Sequence, residues 1–434
     1  MMKIIPAALF FLSFFSSLVS NAILRQIAKK NNILIDTPDK QRKFHKNPTP
    51  LTGGVGIAIG IIFSGIFLIF LTKDSIDINL TTENYTAIDE VLLNDKDGIT
   101  HEINVSDNNS IKIRILNDEK IFMVLPDGTK QIYMISDNGN ESNIIRQEID
   151  ENDFSVSKFA ISLFSFTILI QLIMLVDDLW GIKEKNKLVI QAIITTMLIL
   201  VTDIYIRDLG NLLGFGEINL GLFGIPFTIF CVVGMMNAFN YIDGLNGLCA
   251  SFCLVCLMSI VYSFNAFNNP SLLPLILPVG AIVGFLMYNL GIFGDKRNVF
   301  LGDNGSQALG FLCLWILVYF SQNSEYSFAP ITAVWLVSIL FMDAIRVLST
   351  RALAGLRGSD LFKARRDHIH HKLQDYGLSN EAIYSILVLS TGLLSTIGLM
   401  LNNIFPQNHY FSFYIFLIIW VCFHILVNRI PKNV

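Results

Sequence analysis

The sequence predicts an all-α polytopic membrane protein with about eleven transmembrane helices and a small β-rich extracytoplasmic insert. Of its 434 residues, 53% are hydrophobic and only 15% are charged, whereas soluble domains average ~25% charged residues. The mean hydropathy is +0.55. A soluble enzyme does not fit this composition, and a net charge of −4 provides no basic field for nucleic acid.

About eleven apolar segments have the length of ~17–25 residues that a bilayer-spanning helix requires. These predicted spans are 4–24, 53–72, 156–176, 186–204, 222–240, 245–264, 271–291, 305–321, 328–348, 382–402 and 410–428. The first one ends in Ser20-Asn21-Ala22, which also fits a signal-peptide cleavage site. The next loop, however, is strongly basic up to Lys46. Because basic loops prefer the cytoplasm, we predict an uncleaved first span with a periplasmic N-terminus.

The remaining basic residues agree with this orientation. They collect at 25–46, 183–187, 296–297, 346–366 and 429–432. All five regions fall on the cytoplasmic side when the N-terminus lies outside, and the C-terminus is then cytoplasmic.

Segment 74–155 interrupts the apolar pattern with many acidic residues. Residues 112–116 and 130–135 alternate polar and apolar side chains, and Asp97-Gly98 and Asp127-Gly128 are typical of hairpin turns. We therefore predict three regions: helices 1–2 with the first cytoplasmic loop (1–73), a periplasmic antiparallel β-meander (74–155), and helices 3–11 with the catalytic loops (156–434).

Polar residues are costly at the membrane boundary unless they are used, and here they gather at the cytoplasmic ends of the spans. Asp177-Asp178 ends the third span, where two repelling carboxylates indicate a cation site, a proton-transfer role or a helix end in water. Asn237, Asn240 and Asp243 share one helix face at i, i+3, i+6 spacing, and Gly244 and Gly247 permit close approach of a ligand.

Two further motifs follow in the chain. Asp303 opens the eighth span among glycines, where it would bind a hard cation, orient a phosphate or cap the helix. Asp367-His368-Ile369-His370-His371 follows Arg365 and Arg366, and the basic neighbours favour a phosphate over zinc. Together the motifs indicate phosphoryl-group chemistry on a lipid at the cytoplasmic leaflet.

In these motifs the sequence resembles the polyprenyl-phosphate N-acetylhexosamine-1-phosphate transferases. The resemblance covers nearly the whole chain except 74–155. Its motifs occur in the family's order: Asp36-Thr37-Pro38 with Arg42–His45 and Pro50–Gly54, then Asp177-Asp178, Asn237–Leu248, Phe300–Ser306 and Asp367–His371.

The resemblance implies roles for individual residues. Asp303 and Asn240 would be metal-proximal, and Asp177, Asp178 and Asp243 would be the catalytic acids. The expected substrate-binding residues are Lys43, His45, Asn237, Asn240, Asn246, Asn289, Arg365, Arg366, His368, His370 and His371. Asn246 stands where relatives often carry an acid, so the resemblance does not imply an acidic role at that position.

The resemblance also implies the reaction. A UDP-N-acetylhexosamine, with UDP-GlcNAc as first choice and a UDP-N-acetyl-deoxyhexose as second, would transfer its sugar phosphate to undecaprenyl phosphate with Mg²⁺ or Mn²⁺. UMP would be released at the bacterial inner membrane, and a lipid-linked surface glycan such as an O-antigen would begin. A periplasmic partner for 74–155 and an oligomer are compatible with this interpretation.

Two alternatives remain at this stage. A covalent aspartyl intermediate competes with direct displacement by the lipid phosphate. A transporter or sensor with an external domain is the alternative class, but it would need polar residues at mid-membrane and related halves, and neither is visible.

The orientation of the spans can be tested with single cysteines in a background without accessible thiols. We expect Ser110→Cys to react with an impermeant maleimide on intact cells and Ser359→Cys to react only after permeabilisation, because the two lie on opposite sides of the predicted topology. The reverse labelling would overturn the orientation.

Overall fold

The computed structural model describes residues 4–38, 47–76, 100–105, 109–117, 120–124, 130–137, 142–148, 152–323, 328–355 and 366–431. The chain divides into two units, one made of Met1–Leu68 with Phe159–Val434 and the other of Ile69–Lys158. The boundaries are close to the predicted limits of the insert.

Helices make up the first unit, and a two-stranded pair of β1 (Ile35–Asp36) and β2 (Thr49–Pro50) precedes its second helix. The helices are α1 (Ile5–Asn31), α2 (Gly53–Ile76), α3 (Asn152–Trp180), α4 (Glu184–Thr202), α5 (Gly224–Ile242), α6 (Leu248–Ser263), α7 (Ile276–Asn289), α8 (Gly302–Gln322), α9 (Pro330–Leu336), α10 (Ser338–Gly355), α11 (Ile369–Asp375), α12 (Asn380–Ile404) and α13 (His409–Arg429).

Within the described residues, nine helices are long and apolar enough to cross a membrane, or ten if one bent pair counts as a span. The predicted polytopic all-α class is confirmed, and two of the eleven expected spans need correction. The segment expected at 245–264 is α6, whose 16 residues reach only ~24 Å, less than the ~30 Å hydrocarbon core. It begins late because Gly247, at φ +78°, ends a turn just before it.

The second correction concerns the segment expected at 328–348. It is broken into α9 and α10, which meet at an angle of 90°. Neither Pro nor Gly occupies the break at Val337, so the local sequence gave no signal for it. Trp335, just before the break, is fully buried against Gly398 of α12 and the Phe416 ring of α13.

A five-stranded antiparallel meander forms the second unit, as the alternating pattern predicts. Its strands are β3 (Thr100–Val105), β4 (Asn109–Asn117), β5 (Lys120–Val124), β6 (Lys130–Asp137) and β7 (Ser142–Glu148), hydrogen-bonded in that order. The register pairs Ile121 with Tyr133, and a bulge shifts the β4–β5 pairing near Ile115. The predicted turns at Asp97-Gly98 and Asp127-Gly128 lie outside the described residues.

Small residues bring α1 against α7. Gly280 and Gly284 of α7 face the backbone of α1, so that an added Cβ at Gly284 would lie 2.5 Å from the carbonyl oxygen of Phe14. The hydroxyls of Ser13 and Ser17 donate across the contact to the carbonyls of Leu277 and Ala281. Close approach of this kind is the usual basis of helix association in membranes, and it makes α1 an integral part of the bundle.

We expect Gly284→Ala to destabilise the protein by ~1–3 kcal/mol, because the rigid backbone oxygen of Phe14 cannot move away from the new methyl group. The measurement is the thermal unfolding midpoint in detergent. Gly234→Ala on α5 is the matched control, since nothing lies within 4 Å of a Cβ there. Equal midpoints for the two variants would contradict the proposed close packing.

Candidate active site

The two adjacent carboxylates at the end of α3 have separate partners. Asp177 is buried and accepts a hydrogen bond from the Ile182 backbone N–H at 2.5 Å. Its other oxygen forms an ion pair of 2.5 Å with Lys187 of α4. Lys187 also lies 3.2 Å from Oδ2 of Asp303, so this buried ammonium joins the acids of α3 and α8.

Asp178 caps the N-terminus of α8. Its carboxylate accepts hydrogen bonds from the backbone N–H groups of Asp303 (3.2 Å) and Asn304 (3.1 Å), and from the Asn304 side chain at 2.6 Å. The first N–H groups of a helix have no partner within the helix, and a carboxylate there also meets the positive end of the helix dipole. Asp303 is therefore not the helix cap, and its side chain is left for other contacts.

Gly302 makes this cap possible. Its φ of +77° is unfavourable for other residues, and an added Cβ would lie 2.9 Å from Oδ2 of Asp178. The Pro50–Gly54 motif packs on the same turn: the Gly53 N–H donates to the Phe300 carbonyl, and the Gly54 N–H donates to the Leu301 carbonyl. The start of α2, the end of α3 and the start of α8 thus meet at one place.

Asn237 and Asn240, on the predicted polar face of α5, contact α4 and α8. Asn240 donates to the Ser306 hydroxyl at 3.0 Å. Asn237 donates to Gln191 of α4 at 2.9 Å and to the Val233 carbonyl. Both amide hydrogens of Asn237 are therefore occupied inside the bundle, which favours a structural role over substrate contact.

The turn after α5 brings the Asp243 carboxyl within range of the charges of Asp303 and Asp178. Burial raises the pKa of the Asp243 carboxyl well above its ordinary value, and the charges of Asp303 and Asp178 raise it further. Within the described residues, no hydrogen bond or ion pair to its side chain occurs. Asn246, in the same turn, is exposed.

Asn289 holds this turn in place. Its Oδ1 accepts a short hydrogen bond from the Gly247 backbone N–H, and its Nδ2 donates to the Val299 carbonyl at 2.7 Å. The side chain is buried, so its amide links the turn after α5 to the approach to α8. This geometry supports a positioning role for a residue that the resemblance assigned to the substrate.

The histidine segment, Asp367–His371, also reaches the turn after α5. His370 is fully buried, and an added Cβ at Gly244 would lie 2.7 Å from its Nε2. Within the described residues neither ring nitrogen of His370 has a hydrogen-bond partner. Burial and the neighbouring His371 and His368 lower the pKa of His370 well below its ordinary value, so its ring is neutral near pH 7.

The other members of the segment have partners. His368 Nδ1 lies 2.9 Å from Oδ2 of Asp343, and the His368 ring packs on Tyr241. His371 Nδ1 lies 3.2 Å from Gln374. Arg366 is exposed and pairs with Asp375 at 3.1 Å. Lys43, His45 and Arg365 lie outside the described residues.

Sequence reasoning missed Lys187 as a site residue and did not assign a role to Asp343. A signal for Lys187 exists, because Lys187, Gln191 and Thr195 form a polar line at i, i+4, i+8 on an otherwise apolar helix, and such a line faces the protein interior. Asp343 and its partners have no comparable local pattern.

The described residues do not form a metal site by themselves. Among the described residues, no three His, Cys, Asp or Glu side chains are grouped closely enough to hold an ion. The available oxygen donors are the carboxylates of Asp243 and Asp303 and the amide of Asn240. Such a set fits Mg²⁺, which proteins commonly hold by one or two carboxylates together with substrate phosphates and water.

An apolar groove adjoins the carboxylates. It is small and is lined by residues of α2, α3 and α8, among them Ile61, Phe164 and Leu312. Gln171 lines it as well and donates to Asn304, which in turn donates to Asp178. The groove therefore connects through two amides to the acid cluster.

Comparison with known proteins places the chain among transferases. Residues 160–321 match the family model described as "Glycosyl transferase family 4". The chain is 31% identical over 268 residues to the undecaprenyl-phosphate alpha-N-acetylglucosaminyl 1-phosphate transferase of Haemophilus influenzae, covering 59% of this chain and 72% of that protein. The chain belongs to Glycosyl transferase family 4.

Other family members with the same description give similar values. The Escherichia coli O157:H7 protein is 29% identical over 262 residues, covering 59% of this chain and 68% of the relative. The Yersinia pestis protein is 32% identical over 225 residues, covering 52% of this chain and 61% of the relative. The predicted family and the predicted enzyme class, a transferase of sugar phosphates, are confirmed, and the transporter or sensor alternative is not favoured.

We expect Lys187→Ala to lose most transferase activity and to lower the thermal midpoint, because it leaves the buried Asp177 carboxylate without its counter-charge, at a cost of ~3–5 kcal/mol. Lys185→Ala, on the exposed side of the same helix start, is the control and should behave as the parent. Initial rate and thermal midpoint are the measurements. Parent-like behaviour of Lys187→Ala would exclude a role for the ion pair.

Proposed function

We propose that the protein transfers N-acetylglucosamine 1-phosphate from UDP-GlcNAc to undecaprenyl phosphate, releasing UMP, at the cytoplasmic face of a bacterial inner membrane. The observation that carries the proposal is the convergence of motifs distant in the chain, with Asp178 bonded to the start of α8, Gly53 and Gly54 packed on the same turn, and Gly244 against His370. The descriptions of the relatives name the lipid phosphate and the sugar.

The chemistry needs little from a general base. A phosphate monoester has a second pKa of ~6, so the lipid phosphate is mostly dianionic at neutral pH. Both oxygens of Asp177 are already engaged, one by Lys187 and one by a backbone N–H. We therefore assign Asp177 to holding Lys187 and the acid cluster in place, rather than to removing a proton.

The reaction then proceeds by one displacement. An oxygen of the lipid phosphate attacks the β-phosphorus of the UDP-sugar, and the bond from that phosphorus to the bridging oxygen breaks, so that UMP leaves with the bridging oxygen. Asp243, Asp303 and the Asn240 amide oxygen would hold Mg²⁺, which would neutralise charge on the diphosphate. The buried His370, whose ring nitrogens have no hydrogen-bond partner among the described residues, would contact the sugar nucleotide together with His371.

The donor and the mechanism can be examined together. Purified protein is incubated with undecaprenyl phosphate, Mg²⁺ and a panel of UDP-sugars, and UMP release is measured. UDP-GlcNAc should be the preferred donor, whereas preference for a UDP-N-acetyl-deoxyhexose would correct the sugar. Exchange of labelled UMP into UDP-GlcNAc without the lipid would favour the covalent aspartyl route over direct displacement.

We expect Asp303→Asn to lower turnover ~100-fold or more, a loss typical of removing a group that stabilises charge in the transition state, while folding is retained. Chelation by EDTA should abolish activity, and Mg²⁺ or Mn²⁺ should restore it. Asp295→Asn, in the exposed loop before α8, is the control. Full activity of Asp303→Asn, or undiminished activity in EDTA, would exclude the metal assignment.

A further inference from the structure

A buried carboxylate on α10 holds the histidine segment from behind. Asp343 is 1% exposed, and each of its oxygens has a partner in the segment. Oδ2 lies 2.9 Å from His368 Nδ1, and Oδ1 accepts a hydrogen bond of 3.1 Å from the Ile369 backbone N–H. His368 is the residue before α11, and its own side chain does not cap that helix, so Asp343 supplies the missing acceptor.

Two arginines of α10 complete the attachment. Arg346, also 1% exposed, donates to Oδ1 of Asp343 at 2.7 Å and to the Asp367 carbonyl at 2.5 Å. Its other amino group donates to Asn428 of α13. Arg351 binds the Asp367 carboxylate through two hydrogen bonds of 2.9 and 2.7 Å. Burial alone would raise the pKa of Asp367, but the Arg351 hydrogen bonds and charge hold it below the ordinary value.

These contacts determine where His370 lies. Residues 367–369 are fixed to α10 at the backbone and at the side chains, and the next residue, His370, is then held against Gly244. Asp343 itself cannot touch a substrate, because it is enclosed and its oxygens are occupied. A buried ion pair contributes little net stability, but the removal of one partner is strongly destabilising because the other charge is left buried and unpaired.

We propose that Asp343 is a positioning residue that fixes the His368 ring and the 367–369 backbone, so that His370 and His371 face the sugar-nucleotide side of the site. This inference rests on the proposed function for the identity of the ligand. It predicts an effect on the UDP-sugar and little effect on the lipid, because the attachment reaches the histidine segment and not the Asp177–Lys187–Asp303 cluster.

The test compares Asp343→Asn with the parent in steady-state kinetics. Asparagine keeps the shape and an acceptor for Ile369, but it loses the charge and offers its amide N–H₂ toward His368. We expect KM for UDP-GlcNAc to rise ~10- to 100-fold, since small misplacements of binding groups have effects of this size, with KM for undecaprenyl phosphate within about two-fold of the parent. Direct titration with UMP should show a matching loss of affinity.

Two further variants separate positioning from folding. Asp343→Asn combined with Arg346→Gln removes the unpaired arginine charge and should show the same change in donor KM. Asp203→Asn breaks an exposed ion pair with Arg207 and should match the parent in both KM values. Hydrogen exchange should be faster in a peptide covering 366–376 in the Asp343 variants, while peptides of α5 and α8 remain protected.

The outcomes are distinct. Failure of the parent to release UMP from any UDP-sugar would overturn the proposed function, and the exchange measurement would still decide whether Asp343 fixes the segment. An active parent whose folded Asp343 variants keep the parent's donor KM and the parent's protection at 366–376 would overturn the positioning role. A donor-specific rise in KM together with faster exchange in 366–376 alone would support it.

Discussion

The hydrogen bonds from the start of α8 to Asp178 are the interaction on which the site depends. A helix that begins among apolar segments has N–H groups that need an acceptor, because water is scarce there and an unsatisfied buried donor is costly. The acceptor comes from α3, more than a hundred residues earlier in the chain. Since the same turn of α8 also receives the Gly53 and Gly54 region, one carboxylate fixes three helix ends and the direction of Asp303.

The same arrangement occurs a second time at the histidine segment. Asp343 of α10 accepts from the first backbone N–H of α11, and Asp178 likewise accepts from the second and third N–H groups of α8. In both places a carboxylate from another helix accepts hydrogen bonds from the backbone at the start of a helix, α8 or α11. The site lies between the two attachments, where Gly244 leaves room for His370.

The acidic residues differ in whether the protein itself supplies their partners. Asp177, Asp178 and Asp343 are occupied by Lys187, by backbone N–H groups and by His368 with Arg346, so the repulsion expected of adjacent carboxylates is relieved by the protein itself. Among the described residues, Asp243 and the second oxygen of Asp303 have no such partner. Polar residues near a membrane therefore do not all mark substrate contacts, because some of them hold the others in place.

The sequence by itself determined the membrane class, the approximate spans, the antiparallel meander and the motifs that meet at the site. These depend on local properties, namely apolar run length, two-residue alternation and the placement of polar residues at span ends. The break at Val337, the short α6, the interior roles of Asn237 and Asn289, and the attachment by Asp343 were decided by the tertiary structure. Their partners lie on other helices, often far away in the chain, and no local pattern specifies which distant group will complete a hydrogen bond.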